Sequence, residues 1–583
     1  MFRTILRQVK QYKAAALLTP LWTTLEVIMG VLIPYATASI IDKGIVAGSL
    51  PDVYKYGGIM LGLAFLSLVF GILAGRFAAY SSTGLAANLR LAMYRNIQRF
   101  SFSDIDKYST AGLVTRMTTD VSSIQGAFQM MLRTTFRAPL NLVSALAMCF
   151  FIHPRLSIIF LAAMVALGTF LTFLIMRAAR LFKEILLKVD RLNGVVQENV
   201  SAIRVVKAFV RESHELSKFD KAALGLYTLN IKAETLMALN GPVMSLIVNA
   251  CIIALSWWGA RYIVEGSLTT GQLTSLFSYI MTVLSSLMML SMIFVQLTRS
   301  AASVTRVAEV IDEVPDMDNP REPLMEVADG SIRFNHVYFT YKAGGDYALE
   351  DIDLDIRSGE TIGLIGGTGS GKSSLVNLIP RLYDVSGGSV EVGGKDVRAY
   401  DMTALRHEVA MVLQTSTLFS GTILENLRWG KADATEEECQ EACRQAMADE
   451  FIQGFPDGYN TRIEQGGTNV SGGQRQRLCI ARALLMRPKV LILDDSTSAV
   501  DTATDAAIRE TFRTCIPGTT KIIISQRILS IKDADRIIVM QDGRVNGFDT
   551  HEHLLRDNAI YREINQMQAS GAEADFDHPL NTA

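Results

Sequence analysis

Apolar side chains over the first three hundred or so positions come in runs of membrane-spanning length, separated by charged stretches. Residues 56–75, 138–152, 156–176, 235–260 and 266–298 contain no charged side chain, and 14–41 contains only Glu26. About 20 consecutive apolar residues cross the hydrocarbon core of a bilayer as a helix, so the pattern predicts six spans. The segments between them alternate in length. Those at 42–55, 153–154 and 261–267 are short, whereas 76–137 and 177–232 are long and helical in pattern. A structureless loop of roughly sixty residues is unusual, so the spanning helices are expected to continue well beyond the membrane.

After about residue 314 the periodicity changes. Pro315, Pro320 and Pro323 mark a linker over 315–330. Beyond it, 332–341 alternates apolar with polar and 361–365 is an apolar strand, which predicts an α/β domain over 331–568. The final stretch, 569–583, has few large apolar residues and is expected to be disordered.

Charge orients the first part. The net charge of −2 conceals an asymmetry. Arg3, Arg7, Lys10 and Lys13, eight basic residues from Arg76 to Arg137 and eleven from Arg177 to Lys232 fall on one side. Only Lys43, Lys55, Arg155 and Arg261 fall on the other. The positive-inside rule places both termini of this multi-pass chain in the cytoplasm. The 14–41 run is too long for a signal peptide and has no small-residue cleavage site. The six cysteines are scattered, with no second pair to complete a metal site with Cys439 and Cys443, and read as reduced. No nucleic-acid signature is present.

The α/β part carries the chemistry. Gly366, Gly367, Thr368, Gly369, Ser370, Gly371, Lys372 and Ser373 read G-G-T-G-S-G-K-S, followed by Ser374. This is a phosphate-binding loop: glycines let backbone N–H groups close around phosphate oxygens, Lys372 adds a point charge and Ser373 can ligate Mg²⁺. Ser471, Gly472, Gly473 and Gln474 follow about a hundred residues later, and then an apolar strand, 490–493, ends in Asp494 and Asp495. The fold class expected is therefore a multi-domain chain. An all-α six-helix transmembrane domain over 1–314 precedes an α/β P-loop ATPase domain.

These motifs in this order resemble those of the ABC exporter superfamily, and the chain resembles one of its half-transporters over nearly its whole length. The resemblance implies ATP and Mg²⁺ as cofactors, and a dimer in which each ATP lies between one chain's P-loop and the other's signature sequence. Residue by residue, Tyr341 matches the aromatic that stacks on adenine, or is a core strand aromatic. Gln414 matches the glutamine that reaches Mg²⁺. Asp494 matches the carboxylate that holds Mg²⁺ through its shell. Ser471, Gly472, Gly473 and Gln474 match the signature, heading a helix whose N-terminus favours the partner's γ-phosphate. Val470 replaces the usual leucine before it, and 463–467 departs from the common form without an evident mechanism. Asp501 matches the loop coupling the two sites.

Two positions depart from the family pattern. Where the family places a glutamate that orients water, this chain has Asp495, one methylene shorter. Displacing a catalytic group by about 1 Å can cost on the order of 10²-fold in rate. Where the family places a switch histidine before arginine, this chain has Gln526 before Arg527. An amide hydrogen-bonds but does not titrate. With P-loop and signature intact, the pair resembles the degenerate-site half of heterodimeric bacterial multidrug exporters. That implies a partner half-transporter with the glutamate and histidine in place and an altered signature of its own. A homodimeric exporter with slow ATPase and, in another class, an ATP-gated channel or regulatory protein are the alternatives.

The segment 103–116 and the segment 203–211 resemble the family's coupling helices, with Phe209 the aromatic that would fill a groove on the partner; an amphipathic helix packed within its own chain is the alternative. Glu26 either pairs with a cationic drug or is satisfied by a neighbouring helix. Met281, Ser285, Met288 and Met292 share one helical face, lining an apolar cavity or packing between helices. The substrates expected are amphipathic drugs, lipids or peptides, with membrane lipid as the surroundings.

Overall fold

The computed structural model describes residues 1–342, 344–496 and 499–569, so all but the first residue of the expected tail lies outside the described residues. The chain divides into two compact units. One comprises Met1–Gln98 and Thr110–Glu313; the other comprises Arg99–Ser109 and everything from Val314.

Among the described residues six helices, all in the first unit, are long and apolar enough to cross a membrane: Lys10–Val46, Leu50–Ile97, Thr110–Ile152, Pro154–Ser201, Glu212–Val264 and Thr270–Leu290. Five of the expected apolar runs fall within these helices, and the sixth, 266–298, overlaps Thr270–Leu290 and begins four residues ahead of its helix. The helices Leu50–Ile97 and Pro154–Ser201 have 48 residues each, about 72 Å at 1.5 Å per residue. A bilayer core is only about 30 Å thick, so the charged stretches 76–97 and 177–201 prolong the spans as continuous helix, as the lengths of the intervening segments implied.

Local signals set the breaks. His153 accepts a hydrogen bond from the Leu156 N–H and Pro154 takes the first helical position, where its missing donor is not needed. Thr269 and Gln272 form a capping box that starts the last long helix, Thr270–Asp312. The apolar core of this unit gathers Val27, Val31, Cys149, Leu156, Phe160, Leu255, Leu276 and Tyr279. The buried Tyr279 hydroxyl donates to the Val31 carbonyl at 2.7 Å, near Pro34, which interrupts that helix's backbone ladder. Within Thr110–Ile152 but well ahead of its apolar run at 138–152, Asp120 is almost fully buried and accepts from Ser303 Oγ at 2.8 Å and from Arg306 Nε at 2.8 Å.

The second unit contains strands β1 (Ile332–Phe339), β2 (Leu349–Ile356), β3 (Thr361–Gly366), β4 (Gly387–Val392), β5 (Lys395–Asp396), β6 (Val409–Val412), β7 (Gly421–Thr422), β8 (Arg462–Ile463), β9 (Val490–Asp494), β10 (Thr520–Ile524), β11 (Arg536–Gln541) and β12 (Arg544–Asp549). The central sheet runs β12-β11-β3-β10-β9-β6. It is parallel except for the β11–β12 pair. A second, antiparallel sheet runs β2-β1-β4-β5. Central strands are apolar on both faces because both faces are covered. In β9, Leu491 and Leu493 enter one core cluster while Val490 and Ile492 enter the other.

Residues 315–330, whose prolines suggest a linker, are tied to this unit. The Leu324 N–H bonds the Ala399 carbonyl and the Asp401 N–H bonds the Leu324 carbonyl, both at 2.9 Å. Val327 is fully buried in the core beside Ile332 and Phe334. The short helix Phe102–Lys107 also belongs here. A Ser101–Asp104 capping box starts it, Asp106 accepts from the Tyr383 hydroxyl at 2.7 Å, and the Phe102 ring meets Tyr383 edge-on.

Candidate functional site

Parallel register gathers the site. Ile524 at the end of β10 stands opposite Leu364 of β3 on one side and Asp494 of β9 on the other. Val412 of β6 stands opposite Leu493. The carboxyl ends of four neighbouring strands therefore deliver the P-loop, Gln526, Asp494 with Asp495, and Gln414. Open α/β sheets bind ligands at such strand ends.

The P-loop's shape depends on specific glycines. Gly369 and Gly371 have φ of +80° and +95°, a region that side chains disfavour. A Cβ on Gly366 would lie 2.3 Å from the Met540 carbonyl oxygen, so only hydrogen fits. Gly367 and Thr368 complete the turn, Ser370 is buried, and Lys372 opens the helix Lys372–Asn377 together with Ser373 and Ser374. The Lys372 ammonium donates to the Gly366 and Gly367 carbonyls at 2.9 and 2.6 Å. Burial holds its pKa below the usual lysine range, against the pull of Asp494 and Asp495. Phosphate oxygens arriving in the loop would offer this ammonium stronger, charged acceptors.

Asp494 is buried and accepts a hydrogen bond from Ser373, the residue whose hydroxyl suits Mg²⁺. Burial raises its pKa despite that bond and the nearby Lys372. Asp495 is raised as well, by burial first and then by the charge of Asp494. Two adjacent, desolvated carboxylates beside a hydroxyl are a donor set fitted to a divalent cation, whose charge would keep both ionised. Asp495 also has a positive φ of 48°, a conformation aspartate tolerates better than most residues. Its N–H bonds the Ile524 carbonyl at 3.2 Å. Gln414 follows β6 and is exposed, as is the Gln526 side chain.

Tyr341 is half-exposed; its hydroxyl lies 2.9 Å from Ser374 Oγ, and its ring packs edge-on against Phe339 and Tyr383. The aromatic is thereby fixed beside the P-loop helix with part of its surface open. The signature stands on a different element. Ser471 caps the helix Gly472–Leu485, with reciprocal bonds to Gln474 at 2.9 and 3.2 Å. Gly473 permits close packing, since a Cβ there would lie 2.9 Å from the Ala499 carbonyl. Asp501 caps the helix Thr502–Cys515 through Thr504.

Three residues that sequence reasoning passed over take part in this framework. Gln476 is buried and its Oε1 accepts from the Ala499 N–H at 3.1 Å, tying the signature helix to the segment leading to Asp501. Tyr383 joins the Phe102–Lys107 helix to the aromatic group around Tyr341. Gln568, in the C-terminal helix Ala559–Ala569, bonds the loop that carries Gln526. Only Gln476 lies close to a recognisable motif.

In the first unit Glu26 is buried and forms an ion pair with Arg137, whose Nη1 lies 3.2 Å from Glu26 Oε1, with Arg133 Nη2 at 4.0 Å. Its other oxygen has no hydrogen-bond partner among the described residues. Met281, Ser285, Met288 and Met292 lie on the exposed face of their helix, opposite buried Ile280, Val283 and Leu287. Phe209 ends the short helix Ile203–Ala208 and is 73 % exposed.

A six-helix membrane unit joined to a P-loop unit of this topology defines an ATP-driven membrane transporter. The ABC transporter transmembrane region family matches residues 17–287 and the ABC transporter family matches residues 349–498. The chain is 34 % identical to the uncharacterized ABC transporter ATP-binding protein YfiB of Bacillus subtilis, over 96 % of this chain and 97 % of that one. It is 30 % identical to the ATP-dependent lipid A-core flippase of Hahella chejuensis, over 97 % of this chain and 99 % of that protein. Its fold matches a bacterial Atm1-family ABC exporter solved with ATP bound, at a TM-score of 0.82 and 24 % identity, over 96 % of this chain and 99 % of that one. The chain belongs to the ABC transporters, as an exporter half-transporter with membrane and ATPase units fused.

Proposed function

We propose that this chain is one half of a two-chain ABC exporter of the cytoplasmic membrane, with its termini inside. It binds MgATP at a site of reduced turnover and lends an intact signature to a partner half-transporter. The observation that carries the reading is the pair Asp495 and Gln526, set at neighbouring strand ends beside an intact P-loop. Phosphoryl transfer depends on positioning and on stabilising charge, so a shortened carboxylate and a neutral amide slow the chemistry without removing nucleotide contacts. Lys372, Ser373, Gln414 and Asp494 would hold the phosphates and Mg²⁺, and Tyr341 the adenine. Mg²⁺ supplies charge neutralisation at the β- and γ-phosphates. The capped N-terminus at Ser471 meets the partner's ATP, Asp501 links the two sites, and exposed Phe209 docks on the partner's ATPase unit.

The substrate is an amphipath carried from an inward-facing to an outward-facing cavity. The flippase relative supports a lipid-like one, and the exposed methionine face suits an apolar tail. The Arg133 and Arg137 neighbours of Glu26 favour its being satisfied by a neighbouring helix over its pairing with a cationic drug.

Steady-state ATPase of the chain alone, and then with a candidate partner half-transporter that carries the glutamate and histidine, tests the reading. Low activity alone that rises with the partner and depends on the partner's glutamate supports it. Equal activity alone would establish two equivalent sites that tolerate aspartate.

A further inference from the structure

Gln526 sits at the tip of a loop whose near side is held by the sheet: the Ser525 N–H bonds the Leu364 carbonyl at 3.2 Å and the Arg527 N–H bonds Ser525 Oγ at 3.0 Å. The far side is held from a distant part of the chain. Gln568 Nε2 donates to the Gln526 carbonyl at 2.7 Å, and Gln568 Oε1 accepts from the Ile528 N–H at 2.9 Å. One side-chain amide thus satisfies a donor and an acceptor two residues apart, as a neighbouring strand would. Its helix is anchored by Tyr561 and Ile564 in the apolar core, with the His551 ring nitrogen 2.6 Å from the Tyr561 hydroxyl. On the other side of Ile528, Ser530 Oγ donates to buried Asp505 at 2.9 Å.

We infer that Gln568 is a positioning residue for nucleotide sensing: its amide braces the 525–528 loop so that the Gln526 side chain is presented to the γ-phosphate. The inference rests on the reading of Gln526 as the γ-phosphate contact. Only an amide of this length serves both bonds, because a carboxylate lacks the donor and a shorter side chain lacks the reach. The brace makes the C-terminal helix part of the ATP site, outside the residues 349–498 that the family pattern covers.

The test is the affinity of the full chain for ATP and for ADP with Mg²⁺, by isothermal titration, alongside hydrogen exchange at the Ile528 amide. Gln568→Ala is expected to lower the ATP-over-ADP affinity ratio about five- to tenfold, the scale of one or two lost hydrogen bonds. ADP affinity stays unchanged and Ile528 exchange accelerates. Gln568→Glu keeps the acceptor for Ile528 but sets a carboxylate oxygen against the Gln526 carbonyl, so it lowers the ratio while Ile528 stays protected. Gln526→Ala separates the two ideas. If it lowers the ratio and neither Gln568 variant does, the brace is refuted and the reading of Gln526 stands. If Gln526→Ala leaves the ratio unchanged, that reading fails and takes the brace with it. Equal loss of ATP and ADP affinity in Gln568→Ala would make the residue merely structural and overturn the inference.

Discussion

At the scale of single residues, the proposed slow turnover of ATP rests on Asp495 and Gln526. Asp495→Glu restores the missing methylene and is expected to raise single-turnover hydrolysis at the chain's own site by about 10- to 100-fold. The gain carries a stability cost. Position 495 has a φ of 48°, and left-handed backbone costs a residue other than glycine, asparagine or aspartate on the order of 1 kcal/mol. Quench-flow with radiolabelled ATP reads the first effect and thermal unfolding reads the second; an unchanged rate would show that carboxylate length does not limit this site. Both acids at the end of β9 were legible as acids in the sequence. That burial raises the pKa of each was not, because desolvation belongs to the folded core.

At the scale of elements, a buried carboxyl helps to hold the long helical extensions alongside their apolar contacts. Arg306 and Ser303 hold the buried Asp120 carboxyl below the usual carboxylate range, although burial alone would raise it. A group whose folded pKa is depressed stabilises above its unfolded pKa, and that stability disappears as pH falls through the folded value. Asp120→Asn is therefore expected to cost about 1–3 kcal/mol near neutral pH, discounted because Arg306 is partly solvated. The difference from the native chain should begin to narrow below about pH 4 and close only as pH falls past the lower, folded-state value. Melting curves of both proteins across pH 3 to 7 check this, and a pH-independent gap would refute it. At the second short helix, Phe209→Ala is expected to leave ATP affinity unchanged while reducing transport per ATP hydrolysed several-fold. Parallel transport and ATPase assays in vesicles read that ratio, and transport falling only in step with ATPase would assign Phe209 a packing role.

At the scale of the whole molecule, the signature at Ser471 heads a different helix from the one that follows the P-loop, and a second chain is expected to complete each ATP site. Replacing the partner's catalytic glutamate should abolish most turnover of the pair, whereas Asp495→Ala in this chain should reduce it far less; equal losses would show two working sites. The sequence by itself determined the six spans, the continuous extensions, the α/β unit and the ATP motifs. Apolar run length, charge placement and glycine spacing are local properties of the chain. Only the tertiary structure decided that Glu26 meets Arg137, that Tyr383 holds Asp106, that residues 315–330 lie along the ATPase unit and that Gln568 reaches the 525–528 loop. Each joins residues tens to hundreds of positions apart through a bond whose geometry is set by packing, so no local pattern records it.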